Sequence, residues 1–322
     1  MHYRLMPGTE LNASVISFGG NSLSEVNAQA FAFDQLDLYT GAGGNFIDTA
    51  NIYGRWLDPG LNHSEIYIGN WMQARRNRHQ IVLATKGAHP AWEAMTVPRL
   101  DRDEVAVDLH QSLTALRTDY IDLYYLHRDD ERVGVEEILG YLNDFVKAGK
   151  IRYFGCSNWK PARIREAQAV ARAKGWHGFV ANQLMWSLAE ANPAGFPDPT
   201  MVAMDSASKA LHQDTGMAAV AYSAQANGYF DKLAHLGKDK ISPSLLKLYD
   251  TPKNDRRYAR LRQIAAEMAL PLHEVVLGYL LTQQIPAFPI IGARDAEQLQ
   301  ASLKAADRRW PDQLATRLEA DD

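Results

Sequence analysis

Short apolar runs, rich in Val, Ile, Phe and Tyr, recur along the chain at fairly even spacing. Eight of these runs have the length and composition of buried strands. They lie at residues 15–18, 45–48, 81–85, 121–127, 152–157, 179–182, 218–222 and 287–291. The pattern therefore predicts eight strands, separated by segments long enough to hold helices.

Helical apolar spacing appears between the predicted strands. The clearest segments cover residues 25–39, 65–74, 102–116, 135–146 and 162–173, and several end at glycine, as helices often do. Strands that alternate with helices in this way are parallel and joined by right-handed crossovers, and eight such units close into a barrel. We therefore expect an α/β fold, a (β/α)8 TIM barrel, with residues 1–322 in a single domain.

Two additions to a bare barrel are predicted. Residues 3–17 contain a Pro-Gly pair at a turn and suit an N-terminal β-hairpin that closes the amino-terminal end of the barrel. The connection after strand 7, residues 223–285, is much longer than the others and shows helical patterns at 256–268 and 273–282. We therefore expect a long helical insertion there, of the kind that is often a functional loop.

Composition narrows the possible partners. The net charge is −4, from 34 basic and 38 acidic residues spread along the chain, which gives no concentrated positive field for nucleic acid or anionic lipid. No stretch is apolar for long enough to suggest a membrane span or a signal peptide. Cys156 is the only cysteine, so no intramolecular disulfide can form and a cytoplasmic location is expected. The oligomeric state stays open.

Polar residues of complementary chemistry stand at the ends of three consecutive predicted strands. Asp48 ends the second strand with Tyr53 shortly after it, Lys86 follows the third, and His127 ends the fourth. Because the carboxyl ends of barrel strands meet on one face, an acid, a phenol, an amine and an imidazole are expected to converge there. Each alone is more often a helix cap, a packing aromatic, a surface cation or a satisfied histidine, and their co-location favours function.

These four groups suit proton transfer. A free tyrosine has a pKa of about 10, too high for easy proton exchange at neutral pH, and a nearby cation lowers it. Lys86 is the candidate cation, and Asp48 would keep it charged and oriented. His127 would donate a hydrogen bond to the carbonyl group of a small-molecule substrate, which makes Tyr53 the general acid for a reduction.

The remaining strands end in residues that suit a nucleotide cofactor. Ser157 and Asn158 close the fifth strand, Gln183 the sixth and Tyr222 the seventh, and Arg294 follows a glycine after the eighth. Amides and hydroxyls bind a carboxamide, a tyrosine face stacks on a heteroaromatic ring, and a glycine before a helix amino terminus holds phosphate. Ser157 and Asn158 could instead cap the helix that follows them.

The chain resembles the aldo-keto reductase family over nearly its whole length. The resemblance rests on Phe46-Ile47-Asp48-Thr49-Ala50 with Tyr53-Gly54, Thr85-Lys86, Leu126-His127, Gly155-Cys156-Ser157-Asn158 and Ile290-Ile291-Gly292-Ala293. It implies that aldehydes or ketones, among them small sugars or aromatic aldehydes, are reduced to alcohols by direct hydride transfer from NADPH, with no metal or flavin. It also implies a catalytic tetrad of Asp48, Tyr53, Lys86 and His127.

The resemblance also assigns the cofactor site. It implies that Ser157, Asn158 and Gln183 bind the carboxamide and that Tyr222 stacks on the nicotinamide. The positions that cover the pyrophosphate or reach the phosphates and adenine are Ser223, Gln225, Asn227, Gly292, Arg294 and Gln298. NADP(H) is expected in preference to NAD(H), although Asp295 adds negative charge where a 2′-phosphate would lie.

Two other functions are compatible with parts of this pattern. A cofactor-binding regulatory protein of the same fold, with little turnover, would keep the nucleotide site, and the intact set of four residues argues against it. A barrel hydrolase or lyase that uses Asp48 and His127 would need a metal cluster or a nucleophile with its own base, and the sequence indicates neither.

Overall fold

Eight parallel strands close into a barrel in this computed structural model, which describes residues 1–25, 28–58 and 60–320. Neighbouring strands in the chain are neighbours in the barrel, and the last pairs with the first. The strands are β3 (Ser17–Gly19), β4 (Phe46–Asp48), β5 (Val82–Gly87), β6 (Ile121–Leu126), β7 (Ile151–Ser157), β8 (Ala181–Met185), β9 (Ala218–Tyr222) and β10 (Ala287–Ile291). The predicted α/β barrel is confirmed.

Helices follow every barrel strand. Those after the first six strands are α1 (Gln29–Gly41), α2 (His63–Arg75), α3 (Arg102–Leu116), α4 (Val135–Lys147), α5 (Pro161–Lys174) and α6 (Ser206–Thr215). The chain ends with α11 (Ala296–Leu303), which follows β10, and α12 (Leu314–Glu319). The first predicted helix began at residue 25, and residues 26 and 27 of that prediction lie outside the described residues.

Two strands continue past the ends predicted from their apolar runs. β5 runs on to Gly87 and β8 to Met185. The predictions stopped early because Lys86 and Gln183 interrupt the apolar pattern. Both residues nevertheless pair in register with the neighbouring strands, so they belong to the barrel wall.

Alternation along the strands separates two cores. The interior core of the barrel contains Phe46, Val82, Ala84, Leu123, Tyr125, Ala181, Ala218, Val220 and Phe288. The residues between them, such as Ile47 and Leu83, face outward and pack under the helices. Asp48, Lys86 and Gln183 continue the inward series at the carboxyl ends of their strands, so they lie at the mouth of the barrel.

The predicted hairpin is present at the start of the chain. β1 (Tyr3–Leu5) pairs antiparallel with β2 (Asn12–Ser14). Met6, Leu11 and Ala13 are buried against the interior core of the barrel. The hairpin therefore closes the amino-terminal end, which leaves the carboxyl-terminal mouth as the open one.

The predicted helical insertion lies between β9 and β10. It consists of α7 (Tyr229–Leu236), α8 (Pro243–Tyr249), α9 (Pro252–Met268) and α10 (Leu272–Leu281). Among the described residues, no single helix is both long and apolar enough to cross a membrane, and α9 and α10 meet that test only as a pair with a bend of 100° between them.

Helices α2 and α3 approach each other closely at Gly69. A Cβ atom at this position would lie 2.2 Å from the carbonyl oxygen of Ala115 and 2.8 Å from the Cα of Leu116. Both neighbours are backbone atoms of α3, which cannot rotate away. The missing side chain therefore allows the close packing of the two helices.

We expect Gly69→Ala to lower the free energy of unfolding by about 1–3 kcal/mol, because overpacking outweighs the gain in helix propensity of about 1 kcal/mol. Gly140→Ala in α4 is the matched control, since its Cβ would meet only the Trp176 ring, at 3.8 Å. The control should raise stability by about 0.5–1 kcal/mol. Urea denaturation of both variants measures the difference, and a stabilised Gly69→Ala variant would contradict the packing argument.

Candidate functional site

A buried ion pair lies at the carboxyl-terminal mouth of the barrel. Lys86 Nζ donates to Asp48 Oδ2 at 2.6 Å and to the carbonyl oxygen of Thr49 at 2.8 Å. The second carboxylate oxygen, Oδ1, accepts from Gln183 Nε2 at 2.8 Å. The side chains of Lys86 and Asp48 are 1% and 2% exposed. Both charges are therefore satisfied by groups from β4, from the residue after it, from β5 and from β8, as buried charges require.

The Tyr53 hydroxyl is a further contact of the Lys86 ammonium. Nζ lies 3.4 Å from the hydroxyl oxygen and 4.9 Å from the ring centroid. Tyr53 is partly buried on the segment between β4 and α2, and its backbone N–H donates to Ala50 at 3.0 Å. The Ser64 amide donates to the carbonyl oxygen of Tyr53 at 3.4 Å. The segment thus holds the phenol beside the buried charge.

Burial and charge act in opposite directions on Lys86. Burial raises the pKa of Asp48 and by itself would lower the pKa of Lys86. The neighbouring Asp48 carboxylate, together with the hydrogen bonds to Asp48 and Tyr53, outweighs burial at the ammonium, so the pKa of Lys86 lies above its usual value. Lys86 therefore stays protonated at neutral pH and can stabilise negative charge on the neighbouring phenol oxygen.

His127 is a neutral imidazole beside Tyr53. The ring centroids are 6.1 Å apart at an interplanar angle of 78°. Burial, and then the charges of His89, Arg128 and Lys86, hold the pKa of His127 well below its usual value. Its Nδ1 is buried without a hydrogen-bond partner in the part of the chain that is described. A neutral ring has one donor and one acceptor nitrogen, so His127 can donate a single hydrogen bond without carrying charge.

Asn158 forms hydrogen bonds with residues on several segments around the mouth of the barrel. It has a left-handed backbone, with φ of +60°, and its Nδ2 donates to Ser157 Oγ at 3.0 Å. Its Oδ1 accepts from the Tyr222 hydroxyl at 2.8 Å and from the amide of Val202 at 3.0 Å. The N-cap of α5 is Lys160. Ser157 and Asn158 therefore lie before the cap, and the helix-capping alternative is wrong.

A cavity of about 970 Å³ opens at this mouth. That volume lies at the upper end of the range of about 300–1,000 Å³ typical of ligand sites. Its walls include every predicted site residue except Lys86, which is buried behind Asp48 and Tyr53. The structure thus brings the predicted catalytic and cofactor residues to one continuous surface.

Strained backbone is concentrated in the loops around this cavity. Of the described non-glycine residues with positive φ, five follow the carboxyl ends of barrel strands and the others end helices. The five are Ala88, Asn158, Ser223, Ala226 and Asn227. Such conformations cost of order 1–3 kcal/mol each and gather at binding and active sites.

The far end of the cavity suits a phosphate group. Asp295 is the N-cap of α11, where its Oδ1 accepts from the amide of Gln298 at 2.8 Å. Gln298 Oε1 in turn accepts from the amide of Arg294 at 2.9 Å. The Asp295 carboxylate is thus used by the helix, whereas Arg294 is exposed beside the helix amino terminus. An exposed guanidinium at a helix amino terminus fits the phosphate of a nicotinamide dinucleotide.

His89, which the sequence pattern did not predict as a site residue, packs on His127. The two ring centroids are 4.7 Å apart, at an interplanar angle of 67°. The turn before His89 is fixed by Asp108, whose carboxylate accepts from the Ala88 amide at 2.8 Å and pairs with Arg99 at 3.0 Å. The one sequence feature that pointed to His89 was its position just after β5, beyond the point where the apolar run had ended.

The site therefore combines a phenol, an ammonium and a neutral imidazole at one end of a long cavity with amide, hydroxyl and guanidinium groups along the rest. The first set can give and hold protons, and the second can hold a nucleotide. Among the described residues there is no cluster of three or more His, Cys, Asp or Glu side chains that could hold a metal ion.

Comparison with known protein families identifies the family of this chain. A model of the aldo/keto reductase family matches residues 15–321. The chain belongs to the aldo-keto reductase family. It is therefore an oxidoreductase from a family that uses nicotinamide cofactors and acts on small-molecule carbonyl compounds.

Several relatives of this aldo-keto reductase match most of its length. An aryl-alcohol dehydrogenase (NADP+) of Phanerodontia chrysosporium is 30% identical, over 95% of this chain and 82% of its own. Norsolorinic acid reductase B of Aspergillus parasiticus is 29% identical, over 92% of this chain and 77% of its own. A thermostable aldo-keto reductase, crystallised with the inhibitor epalrestat, matches with a TM-score of 0.75 and 22% identity over 99% of both chains. That structure supports the fold alone.

Behind the ion pair, this aldo-keto reductase buries a second carboxyl that sequence analysis also missed. Glu65 of α2 is fully buried, and its Oε1 accepts from Thr85 Oγ1 at 2.5 Å. Asn62 Nδ2 donates to its other oxygen. Burial raises the pKa of Glu65 to about 7, against the lowering effect of its hydrogen bonds. Because Thr85 precedes Lys86 on β5, Glu65 ties α2 to the strand that carries the buried ammonium.

The titration of Glu65 predicts how stability depends on pH. The folded-state pKa of about 7 is raised from the ordinary 4.5, so the folded protein binds the extra proton. The resulting stability is fully present below the unfolded-state pKa and is lost as pH rises through the folded-state value. Between about pH 5 and pH 8, the wild type is expected to lose about 2.5 kcal/mol more unfolding free energy than Glu65→Gln, which does not titrate. Urea denaturation at both pH values tests this, and parallel pH profiles would contradict it.

Proposed function

We propose that this aldo-keto reductase reduces aldehydes or ketones to alcohols with NADP(H), and that Tyr53 is the general acid. The observation that carries the proposal is the chain of contacts from Asp48 through Lys86 to the Tyr53 hydroxyl. When bound in the cavity, a reduced nicotinamide would supply the hydride for the carbonyl carbon. The Tyr53 hydroxyl gives its proton to the carbonyl oxygen, and the Lys86 ammonium stabilises the phenolate that remains.

The other two members of the tetrad have supporting roles in this proposal. Asp48 keeps Lys86 charged and aims its ammonium, and the bond from Gln183 fixes the carboxylate in turn. His127 donates a hydrogen bond to the substrate oxygen and polarises the carbonyl group. Its neutral ring performs this task without a competing proton transfer, which leaves Tyr53 as the proton source.

The cofactor would lie along the cavity with its nicotinamide at the tetrad. We assign the carboxamide to Ser157, Asn158 and Gln183, and the nicotinamide face to the Tyr222 ring. The Tyr222 hydroxyl donates to Asn158 Oδ1, which fixes the side chain at the cavity wall. Toward the far end, the pyrophosphate, outer phosphate and adenine are assigned to Ser223, Gln225, Asn227, Gly292, Arg294 and Gln298.

NADP(H) is the proposed cofactor, ahead of NAD(H). The exposed Arg294 guanidinium offers a partner for a 2′-phosphate, and the neighbouring Asp295 carboxylate is used as the cap of α11. A relative that covers most of this chain carries the name aryl-alcohol dehydrogenase (NADP+), which supports the same choice.

Removing the Arg294 charge should weaken NADPH binding selectively. Because a hydrogen bond to a charged group contributes roughly 1.5–3 kcal/mol, Arg294→Ala is expected to raise the Kd of NADPH by about 10- to 100-fold. The Kd of NADH, which lacks the 2′-phosphate, should change less than about threefold. Arg262→Ala on α9 is the control, and tryptophan fluorescence follows both titrations. An equal rise in the Kd of both nucleotides would contradict the assignment of Arg294 to the 2′-phosphate.

Tyr53→Phe tests the proton donor. The variant is expected to lose about 10²–10⁴-fold in kcat for aldehyde reduction, because general acid catalysis contributes that much. Binding of NADPH should persist, because the cofactor residues are unchanged. Tyr120→Phe is the matched control, since Tyr120 lies just before β6, at the opposite end of the barrel.

Two outcomes would contradict the proposal. Full activity in Tyr53→Phe would exclude the phenol as the acid. NADPH binding by the wild type, without turnover of any aldehyde, ketone or alcohol, would favour a cofactor-binding regulatory protein of the same fold.

A further inference from the structure

Four rings stand edge to face in a row at the barrel mouth. In order they are Trp56, Tyr53, His127 and His89. Neighbouring centroids are 6.2, 6.1 and 4.7 Å apart, with interplanar angles of 66°, 78° and 67°. Edge-to-face pairs of this kind are the favourable arrangement of aromatic rings. This series of contacting rings is here called the ring wall. It contains Tyr53 and His127, the two groups proposed to act on the substrate oxygen, and extends from them to Trp56.

The ring wall runs from the protein interior to solvent. His89 and His127 are buried and Tyr53 is partly buried, whereas Trp56 is 41% exposed. Tyr53 also contacts Lys86, which is 1% exposed. Trp56 thus lies on the solvent side of Tyr53, and the ammonium lies on its inner side.

Apolar exposure is concentrated around Trp56. Leu57 and Leu61 are 50% and 42% exposed, so three of the nine large hydrophobic side chains exposed in the described residues fall within residues 56–61. Single exposed hydrophobics are ordinary, but a cluster beside a ligand cavity marks a binding surface. Trp56, Leu57 and Leu61 lie on the same segment that carries Tyr53.

This segment is held in place by defined contacts. Arg55 Nε donates to the carbonyl oxygen of Asn51 at 2.9 Å, and Arg55 Nη2 donates to Gln111 on α3 at 2.7 Å. The amide of Leu57 donates to the carbonyl oxygen of Gly54 at 3.0 Å. Trp56, which lies between these bonds, is therefore presented at a set distance from Tyr53.

We propose that Trp56 binds the aryl body of the carbonyl substrate and sets a preference for aromatic aldehydes over small sugars. The inference rests on the proposed function, since it takes the carbonyl oxygen to lie at the Tyr53 hydroxyl and His127. A ring joined to that carbonyl then extends along the ring wall and contacts Trp56. A small sugar has no aromatic face to place against Trp56, so it gains no binding energy from this contact.

Steady-state kinetics with NADPH test the contact. The probes are 2-naphthaldehyde and glyceraldehyde, compared in the wild type and Trp56→Ala. The KM for 2-naphthaldehyde is expected to rise by about five- to tenfold, with kcat within about twofold, because a contact made equally in the bound and transition states acts on KM. Both constants for glyceraldehyde should stay within about twofold of the wild type.

Two control variants separate recognition from folding. Trp56→Phe keeps an aromatic face and is expected to retain most of the preference for 2-naphthaldehyde. Trp176→Ala removes a tryptophan of similar exposure, 36%, that follows α5 at the amino-terminal end of the barrel, and it should leave both substrates unaffected. Equal losses on both aldehydes in Trp56→Ala, or an unchanged KM for 2-naphthaldehyde, would overturn the proposal.

A binding measurement distinguishes this inference from the proposed function. If the wild type reduces neither aldehyde, the proposed function fails. The aryl contact of Trp56 can then still be tested by calorimetric titration with 2-naphthalenemethanol, with and without NADP+. A Kd at least about fivefold weaker in Trp56→Ala supports the aryl contact, and an unchanged Kd refutes it.

Discussion

The buried charge of Lys86 is the constraint on which the barrel mouth depends. An ammonium that is 1% exposed is unfavourable unless a counter-charge and hydrogen bonds replace water. Asp48 on β4 supplies the charge, and Gln183 on β8 fixes that carboxylate. These strands are far apart in the chain and meet only across a closed barrel. The site therefore assembles only when the barrel closes.

The same burial produces different chemistry in neighbouring side chains. His127 has positive neighbours and loses its charge, whereas Lys86 has Asp48 beside it and keeps its charge. Two basic groups next to Tyr53 are thus held in different protonation states. In the proposed mechanism, this separation allows one group to polarise a carbonyl and the other to stabilise a phenolate.

Strain at the mouth is balanced by side-chain hydrogen bonds from neighbouring elements. The left-handed turn at Ala88 is fixed by Asp108 of α3, and the left-handed Asn158 is bonded to Tyr222. The opposite end of the barrel is closed by the apolar hairpin. The candidate functional groups therefore gather where loops are held by a neighbouring helix or strand, and the packed interior gives those loops a rigid base.

Local pattern was enough to predict the eight strands and the hairpin. It also predicted the positions of Asp48, Lys86 and His127, because a residue at the end of an apolar run must lie at the carboxyl-terminal mouth whatever its neighbours are. The hydrogen-bond partners of these side chains could not be predicted in this way. Side-chain periodicity shows which face of the strand a residue lies on, but not which residue it contacts. The bond from Gln183 to Asp48 spans 135 residues and exists only in the closed barrel. Glu65 acquired its significance from its contact with Thr85, which is packing between α2 and β5 that no spacing along the chain records.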